Sequence, residues 1–407
     1  MNDSQDLPDR NSPRPLDGVL VLDLSRVLAG PYCSMILGDL GARVIKVEPL
    51  GTGDDTRGYG PFIGQESAYF MSINRNKESI ALNLKSPGGL QVALKLAARA
   101  DVVLENYRPG TMKRLGLGYE VLRELNPRLV YASVSGFGQD GPWRDKPAYD
   151  IIVQGMSGMM SITGHPGGPP VRVGISLGDI AAGLFATVGI VSALYERENS
   201  GRGQLIDVAM LDSQLAILEN AVARYLVTGE IPGPLGTRHP SITPFAAFPS
   251  ADGYILVGVG NDSLWRRFCE SVGRPDLAAD PRFLSNRSRT ENWVDLEPIL
   301  NVVFRERTTA AWIEFLESQG IPCGPVNTMD KVVVHPQVIA RKVLVEVDAI
   351  GGGKLRMPRT PIKMDRTDPN VYRPAQRLGA STRRVLAELG YPEQEIDEMV
   401  KSGAVQG

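Results

Sequence analysis

The chain has 407 residues, 44 Lys and Arg against 46 Asp and Glu, three His and 43% hydrophobic residues. This is a globular composition with room for two or three domains, and its near-neutral charge excludes the basic footprint of a nucleic-acid or membrane-surface binder. No run reaches the ~18 uninterrupted apolar residues of a spanning helix. Cys33, Cys269 and Cys323 are far apart and lack ligand spacing, which points to a reduced cytoplasmic protein without a metal site.

Residues 1–14 are polar and Pro-containing and read as a disordered tail, not a signal peptide. Val19–Leu24 is an apolar run ending in a turn. Ala29-Gly30-Pro31 then opens a helix with Pro in its first turn, and Arg43–Glu48 is the next strand. This βαβ unit places the loop SRVLAGP at a helix N-terminus, where doubly wound sheets bind nucleotides. Glu48 stands where such folds put a ribose ligand, but without Gly-x-Gly-x-x-Gly a dinucleotide dehydrogenase is weakly supported. A Gly-rich loop over residues 51–62 follows, then strands at Ser79–Leu84, Asp101–Glu105 and Leu129–Ser133, with a helix at Pro87–Arg99. Strands alternating with helices at these spacings demand a mostly parallel sheet whose polar and glycine loops gather along one edge.

Pro147–Met160 reads as a helix with Tyr149-Asp150 in its first turn. Val171–Arg197 begins as an apolar run, breaks at Gly178-Asp179 and continues as a long helix rich in Ala and Gly, expected to be packed on all sides. Asp179 is the only charge between Arg172 and Glu196. Its position fits an N-cap, and equally a carboxylate at the floor of a pocket. Gln204–Val208 is a short strand and Ala209–Thr228 a long helix. Residues 229–244, rich in Gly and Pro and aperiodic, mark a linker or working lid. The large α/β domain is therefore expected over 15–228 and a smaller α+β domain over 245–320, with a hairpin at Phe245–Phe248 and Tyr254–Val259. Residues 321–407 form a second linker and a C-terminal segment with a strand near Lys354–Met357 and two short terminal helices.

Several stretches together, PLDGVLVLDLSRVLAGPYCSMILGDLGARVIKVEPLGTGDDTR, NRNKESIALNLKSPGG, ENYRPGTMKRLGLGYE, LNPRLVYASVSGFGQDGP, SLGDIAAG and GRGQLIDVAMLDS, resemble the class III CoA-transferases, also called the CaiB/BaiF family, in order and over roughly residues 15–390. The GDDTR loop, YDIIVQGMSGMMSITG and GTRHPSITPFAAF look most like succinyl-CoA:glutarate-type dicarboxylate transferases. The resemblance implies a Rossmann-like large domain beside a smaller α+β domain, two protomers interlocked as a homodimer, and a C-terminal segment returning to the large domain. It implies no tightly bound cofactor, a CoA thioester as substrate, and no nucleic-acid or membrane partner. Asp179 falls on the catalytic aspartate, which forms an aspartyl mixed anhydride and then an aspartyl-CoA thioester. CoA-contacting positions fall on Val27, Ala29, Leu82, Lys85, Asn106, Tyr107 and Arg114. Arg57, Arg238, His239 and Tyr149 are candidates for the acid substrate, the two arginines by pairing with a distal carboxylate.

Two departures stand out. A family Gln that holds the reacting carbonyl is here Leu28, so backbone N–H groups of the first loop or of Gly233–Arg238 must meet the oxyanion. A family Lys near the CoA site aligns with Pro147. The related 2-methylacyl-CoA racemases carry His-Asp where this chain has Tyr149-Asp150, which removes one partner of a two-base proton shuttle. A racemase or epimerase and a non-catalytic CoA-binding protein are the alternatives, opposed by Tyr149 and by the intact Gly178-Asp179 respectively.

Overall fold

The computed structural model describes residues 13–407, so the tail expected over 1–14 lies, for residues 1–12, outside the described residues. The chain forms two compact units. One comprises the chain up to Met159, Arg172–Gly229 and Gln337–Gly407; the other comprises Met160–Val171 and Glu230–Pro336. The second unit thus takes in a short excursion before the long apolar helix, and reaches past 320 to Pro336.

The first unit is built on six parallel strands: β1 Leu20–Asp23, β2 Arg43–Glu48, β3 Lys77–Leu82, β4 Val102–Glu105, β5 Val130–Ser135 and β6 Leu205–Ala209. Their order is β3-β2-β1-β4-β5-β6, with the antiparallel strand Val405–Gln406 pairing outside β3. The order reverses between β1 and β4, so the loops after these two strands diverge and leave a crevice at the carboxyl edge of the sheet. Strand alternation sends Val21, Val44, Leu104 and Val130 to one face, and Leu22, Ile45, Val103 and Tyr131 to the other. The first face is covered by α1 (Ala29–Asp39) and α4 (Leu177–Ser200). The second is covered by α2 (Pro87–Arg99) and the C-terminal helices at Thr382–Glu388 and Glu393–Lys401. Between α2 and α4 the chain forms α3 (Asp150–Met156), and after β6 come α5 (Met210–Ile217) and α6 (Glu219–Thr228).

Helix α4 is long and apolar enough to cross a membrane by length and composition. Ala182, Ala186, Ile190 and Ala193, at helical spacing, bury one side of it in the core. The opposite side is not packed against the described residues: Leu184, Phe185, Val188, Val191 and Tyr195 are exposed, contrary to the expectation of burial all round. Gly183 sets the approach of α4 to α1. A Cβ there would lie 2.7 Å from the Ala29 carbonyl oxygen, so only glycine lets the two backbones meet at the start of α1.

Other departures have local causes. β3 begins at Lys77, two residues before the expected strand, because Lys77 and Glu78 are buried with ionic partners: Lys77 with Asp23, Glu78 with Arg43, Arg373 and Arg384. The helix expected over Ala209–Thr228 breaks at Leu218, where ψ rises to 15°. The apolar run from Val171 is exposed and forms no strand. Strand Lys354–Pro358 has an antiparallel partner, Leu344–Asp348, that patterning did not reveal. The second unit pairs Phe245–Pro249, Tyr254–Gly258 and Cys323–Pro325 in an antiparallel sheet backed by an aromatic core of Phe248, Trp265, Phe268, Phe304 and Trp312.

Candidate active site

The crevice at the sheet's switch point opens into a cavity of about 430 Å³. Its walls come from the loop after β1 (Arg26, Val27, Ala29), the loop after β4 (Asn106, Tyr107, Arg108), the end of β5 (Ser135, Gly136), the segment Arg144–Tyr149, and Asp179 on α4. Six expected site residues therefore converge on one wall system: Val27, Ala29, Asn106, Tyr107, Tyr149 and Asp179.

Asp179 lies in the first turn of α4, but it is not the cap. Ser176 occupies the N-cap position without a side-chain bond, and the Gly178 N–H donates 2.8 Å to Oδ1 of Asp150, brought across from the start of α3. Gln154, one turn along α3, donates to the other Asp150 oxygen at 2.7 Å and accepts from the Val173 N–H at 2.9 Å, so α3 anchors the entry to α4. Glycine at 178 leaves room here, since a Cβ would lie 2.2 Å from the Gln214 side-chain nitrogen, which would have to move, and 3.1 Å from Asp150 Oδ1. With the cap supplied from α3, the Asp179 carboxylate has no hydrogen bond or ion pair among the described residues. Burial, then the negative charge of Asp150, raises it from the ordinary 3.8 to about 7. Tyr69, missed in the sequence, packs against the buried cluster of Leu28, Met35, Ile36, Leu40 and Ile73, and its phenol is pushed up by burial and then by the charge of Asp179.

Leu28 is buried with Met35, Ile36 and Leu40, so it offers the cavity no polar side chain. The first intrahelical bond of α1 is Tyr32 N–H to Leu28 O at 2.7 Å, and the helix has no side-chain cap. The Ala29 and Gly30 N–H groups thus lack intrahelical acceptors, and Ala29 lines the same cavity as Asp179.

Four cations reach the walls: Arg26, Arg108, Arg144 and Lys146. Arg108 has no ionic partner among the described residues, Arg144 is 3.7 Å from its neighbour Asp145, and Lys146 sits 4.4 Å over the Trp143 ring. Lys146 places an ammonium one residue before Pro147, where the sequence comparison left a gap; the adjacent lysine was the signal. Other expected residues are elsewhere. Leu82 is buried at the end of β3 beside Val405, and Lys85 is exposed beyond it. Arg114 is exposed and donates to Thr111 at 2.9 Å, a residue of the cavity rim. Arg57 is a correction. Its guanidinium bonds both oxygens of buried Glu48 at 2.7 Å and lies 3.7 Å over the Phe70 ring, so it is a structural partner and not a free substrate ligand. Glu48 is equally committed, accepting also from Ser79 at 2.6 Å and the Asp54 N–H at 2.9 Å, and is no ribose ligand. Arg238 and His239 belong to the second unit, where Arg238 lies 5.5 Å from the Trp293 ring centre and His239 accepts from the Ser241 N–H at 3.1 Å.

The family model for CoA-transferase family III matches residues 16–382. The chain belongs to that family. It is 45% identical over 381 residues to the acetyl-CoA:oxalate CoA-transferase of Acetobacter aceti, covering 93% of this chain and 97% of that protein. It is 41% identical over 399 residues to the human succinyl-CoA:glutarate CoA-transferase, covering 98% and 91% respectively. The crystal structure of a CaiB/BaiF family protein from Brucella suis superposes with a TM-score of 0.82 at 37% identity, over 93% of this chain and all of that one. This family III transferase therefore works on CoA thioesters, and the large parallel sheet matches the expected fold class. None of its three histidines lines the cavity, since His165, His239 and His335 all fall in the second unit.

Proposed function

We propose that this transferase moves CoA from an acyl-CoA donor, with succinyl-CoA as the donor of choice, to a short dicarboxylic acid, and that Asp179 is its nucleophile. The observation that carries the reading is a carboxylate left without a partner in a cavity ringed by cations. An Asp179 oxygen attacks the thioester carbonyl carbon; the C–S bond breaks, CoA leaves as thiolate, and a mixed anhydride remains. The thiolate attacks the aspartyl carbonyl, expelling the donor acid and leaving an aspartyl-CoA thioester. The acceptor carboxylate attacks that thioester, and the released thiolate then takes the acceptor acyl group, restoring Asp179. The anhydride preserves acyl activation, and the apolar wall of α4 keeps water from it. Oxyanions at each stage are met by the open Ala29 and Gly30 amides. Val27, Ala29, Asn106 and Tyr107 border the CoA, while the cations answer its phosphates and the free carboxylate of the acid.

Oxalate and glutarate, named for the two relatives, are both dicarboxylic acids, which supports an acceptor of that class. The absence of a His from the cavity wall disfavours the racemase reading. We further read the exposed apolar side of α4 as covered by a second copy of the chain in a homodimer, and the three free cysteines as those of a cytoplasmic protein. The test incubates the protein and its Asp179→Ala variant with succinyl-CoA and a panel of dicarboxylates, resolving the CoA esters by chromatography. New esters from the parent and none from the variant are expected. Equal activity of the two, or α-proton exchange on a 2-methylacyl-CoA without transfer, defeats the proposal.

A further inference from the structure

The GDDTR loop is not accounted for by substrate binding, because Arg57 is bound to Glu48. Asp54, three residues earlier in the loop, has a different set of partners. Asp54 pairs with Lys46 at 2.8 Å, and both side chains are 1% exposed. Lys46 also donates to the Ser25 carbonyl at 2.9 Å, and both Asp54 oxygens lie 3.3 Å from the Val27 N–H. Asn106 brackets the residue between, accepting from the Arg26 N–H at 2.8 Å and donating to the Arg26 carbonyl at 2.7 Å. Three consecutive loop residues are therefore pinned through their backbones. The pinning has a purpose in geometry: Val27 has φ +64°, a left-handed conformation that a β-branched residue resists. Such conformations persist where surrounding structure over-determines them, and they cluster at working sites.

Stability alone does not call for this arrangement, because a buried ion pair is commonly replaced by apolar side chains without loss. What an apolar pair lacks is the means to hold a carbonyl and an amide of the loop at once. We propose that Lys46 and Asp54 are positioning residues for the transfer reaction: as a buried pair they hold the Ser25–Val27 backbone in the turn that presents the Ala29 and Gly30 amides beside Asp179. The proposal rests on the covalent role of Asp179. The two residues touch no reacting atom; they act through the loop. Burial, the largest single influence on Asp54, opposes ionisation, but the charge and hydrogen bond of Lys46 together with the two hydrogen bonds from Thr56 hold it down to about 2, so the pair stays charged across the working range.

The test compares Asp54→Asn, Lys46→Met and Lys46→Arg in the full chain. Asn at 54 keeps an acceptor for Val27 but loses the charge facing Lys46. For Asp54→Asn and Lys46→Met, kcat is expected to fall about 10- to 100-fold, with KM for succinyl-CoA unchanged within about 3-fold. Lys46→Arg is expected to recover at least about a third of parental kcat, since it retains a donor for both partners. Folded Asp54→Asn or Lys46→Met with kcat within about 2-fold of the parent overturns the proposal, as does a loss that only follows the folded fraction measured by circular dichroism. Should Asp54→Asn not fold, the two Lys46 variants decide by the same criteria. Intact mass of the parent with succinyl-CoA separates the two levels. A bound CoA beside an indifferent Asp54→Asn defeats the positioning role alone; no bound CoA defeats the reading of Asp179 and the proposal with it.

Discussion

Asp150→Asn removes one negative charge next to the nucleophile while leaving a carbonyl oxygen where the Gly178 N–H now donates. Asp179 stands at about 7 instead of 3.8, with burial the larger cause and Asp150 the second. Asp150 therefore supplies less than half of that lift, below about 1.5 pH units or about 2 kcal/mol. The charged and titratable groups facing this pair are the Tyr69 phenol, perturbed by both carboxylates, and Arg172, 3.8 Å from Asp150. Neutralising Asp150 frees Arg172 to act in the same direction. The acid limb of kcat/KM, which follows the free enzyme, is expected near pH 7 in the parent and about 0.5–1 pH unit lower in the variant. At pH 6 this is about a three- to five-fold gain relative to each protein's own plateau. Asp150→Ala gives the same electrostatic change but also strips the cap, costing about 1 kcal/mol of stability. The assay is CoA-ester formation by chromatography from pH 5 to 9. A limb that stays put, or moves up, refutes the argument that Asp150 is a like charge on an ionising nucleophile.

Three further outcomes follow from the same contacts. A carboxylate raised from 3.8 to about 7 adds stability that is full below its unfolded value and lost as pH rises through 7. Asp179→Asn removes that dependence and is expected to be more stable than the parent by about 2–4 kcal/mol at pH 8, with little difference at pH 4, by urea unfolding. Arg57→Leu strands the buried Glu48 carboxylate and is expected to cost about 3–5 kcal/mol, with KM for the acceptor acid no more altered than KM for the donor. A selective rise in acceptor KM, with stability intact, would restore Arg57 as a substrate ligand. Lys146→Ala is expected to raise KM for acyl-CoA about 3- to 10-fold with kcat nearly unchanged, an effect that shrinks at high salt.

Much of the large unit was legible because β1, β2, β4 and β5 are short, mainly apolar runs closed by Asp, Glu or Gly, and α1 carries its Pro signal at Pro31. The position of Asp179, alone in an uncharged stretch, was legible too. Its environment was not. The residue that caps α4 is Asp150, 28 positions earlier, and only the packing of α3 brings it to Gly178. Arg57 reads as a free guanidinium until the end of β2 sets Glu48 against it. The break at Leu218 carries neither Gly nor Pro, so periodicity runs straight through it. The strand order likewise depends on long-range pairing, and with it the convergence of the loops after β1 and β4 on one cavity.

The covalent carriage of CoA by Asp179 is tested most directly by mass spectrometry of the protein quenched during turnover with succinyl-CoA. The expected result is a CoA adduct on the peptide containing Asp179, converted to the hydroxamate by hydroxylamine and absent from Asp179→Ala. Turnover without any adduct, or an adduct that survives in Asp179→Ala, contradicts the account.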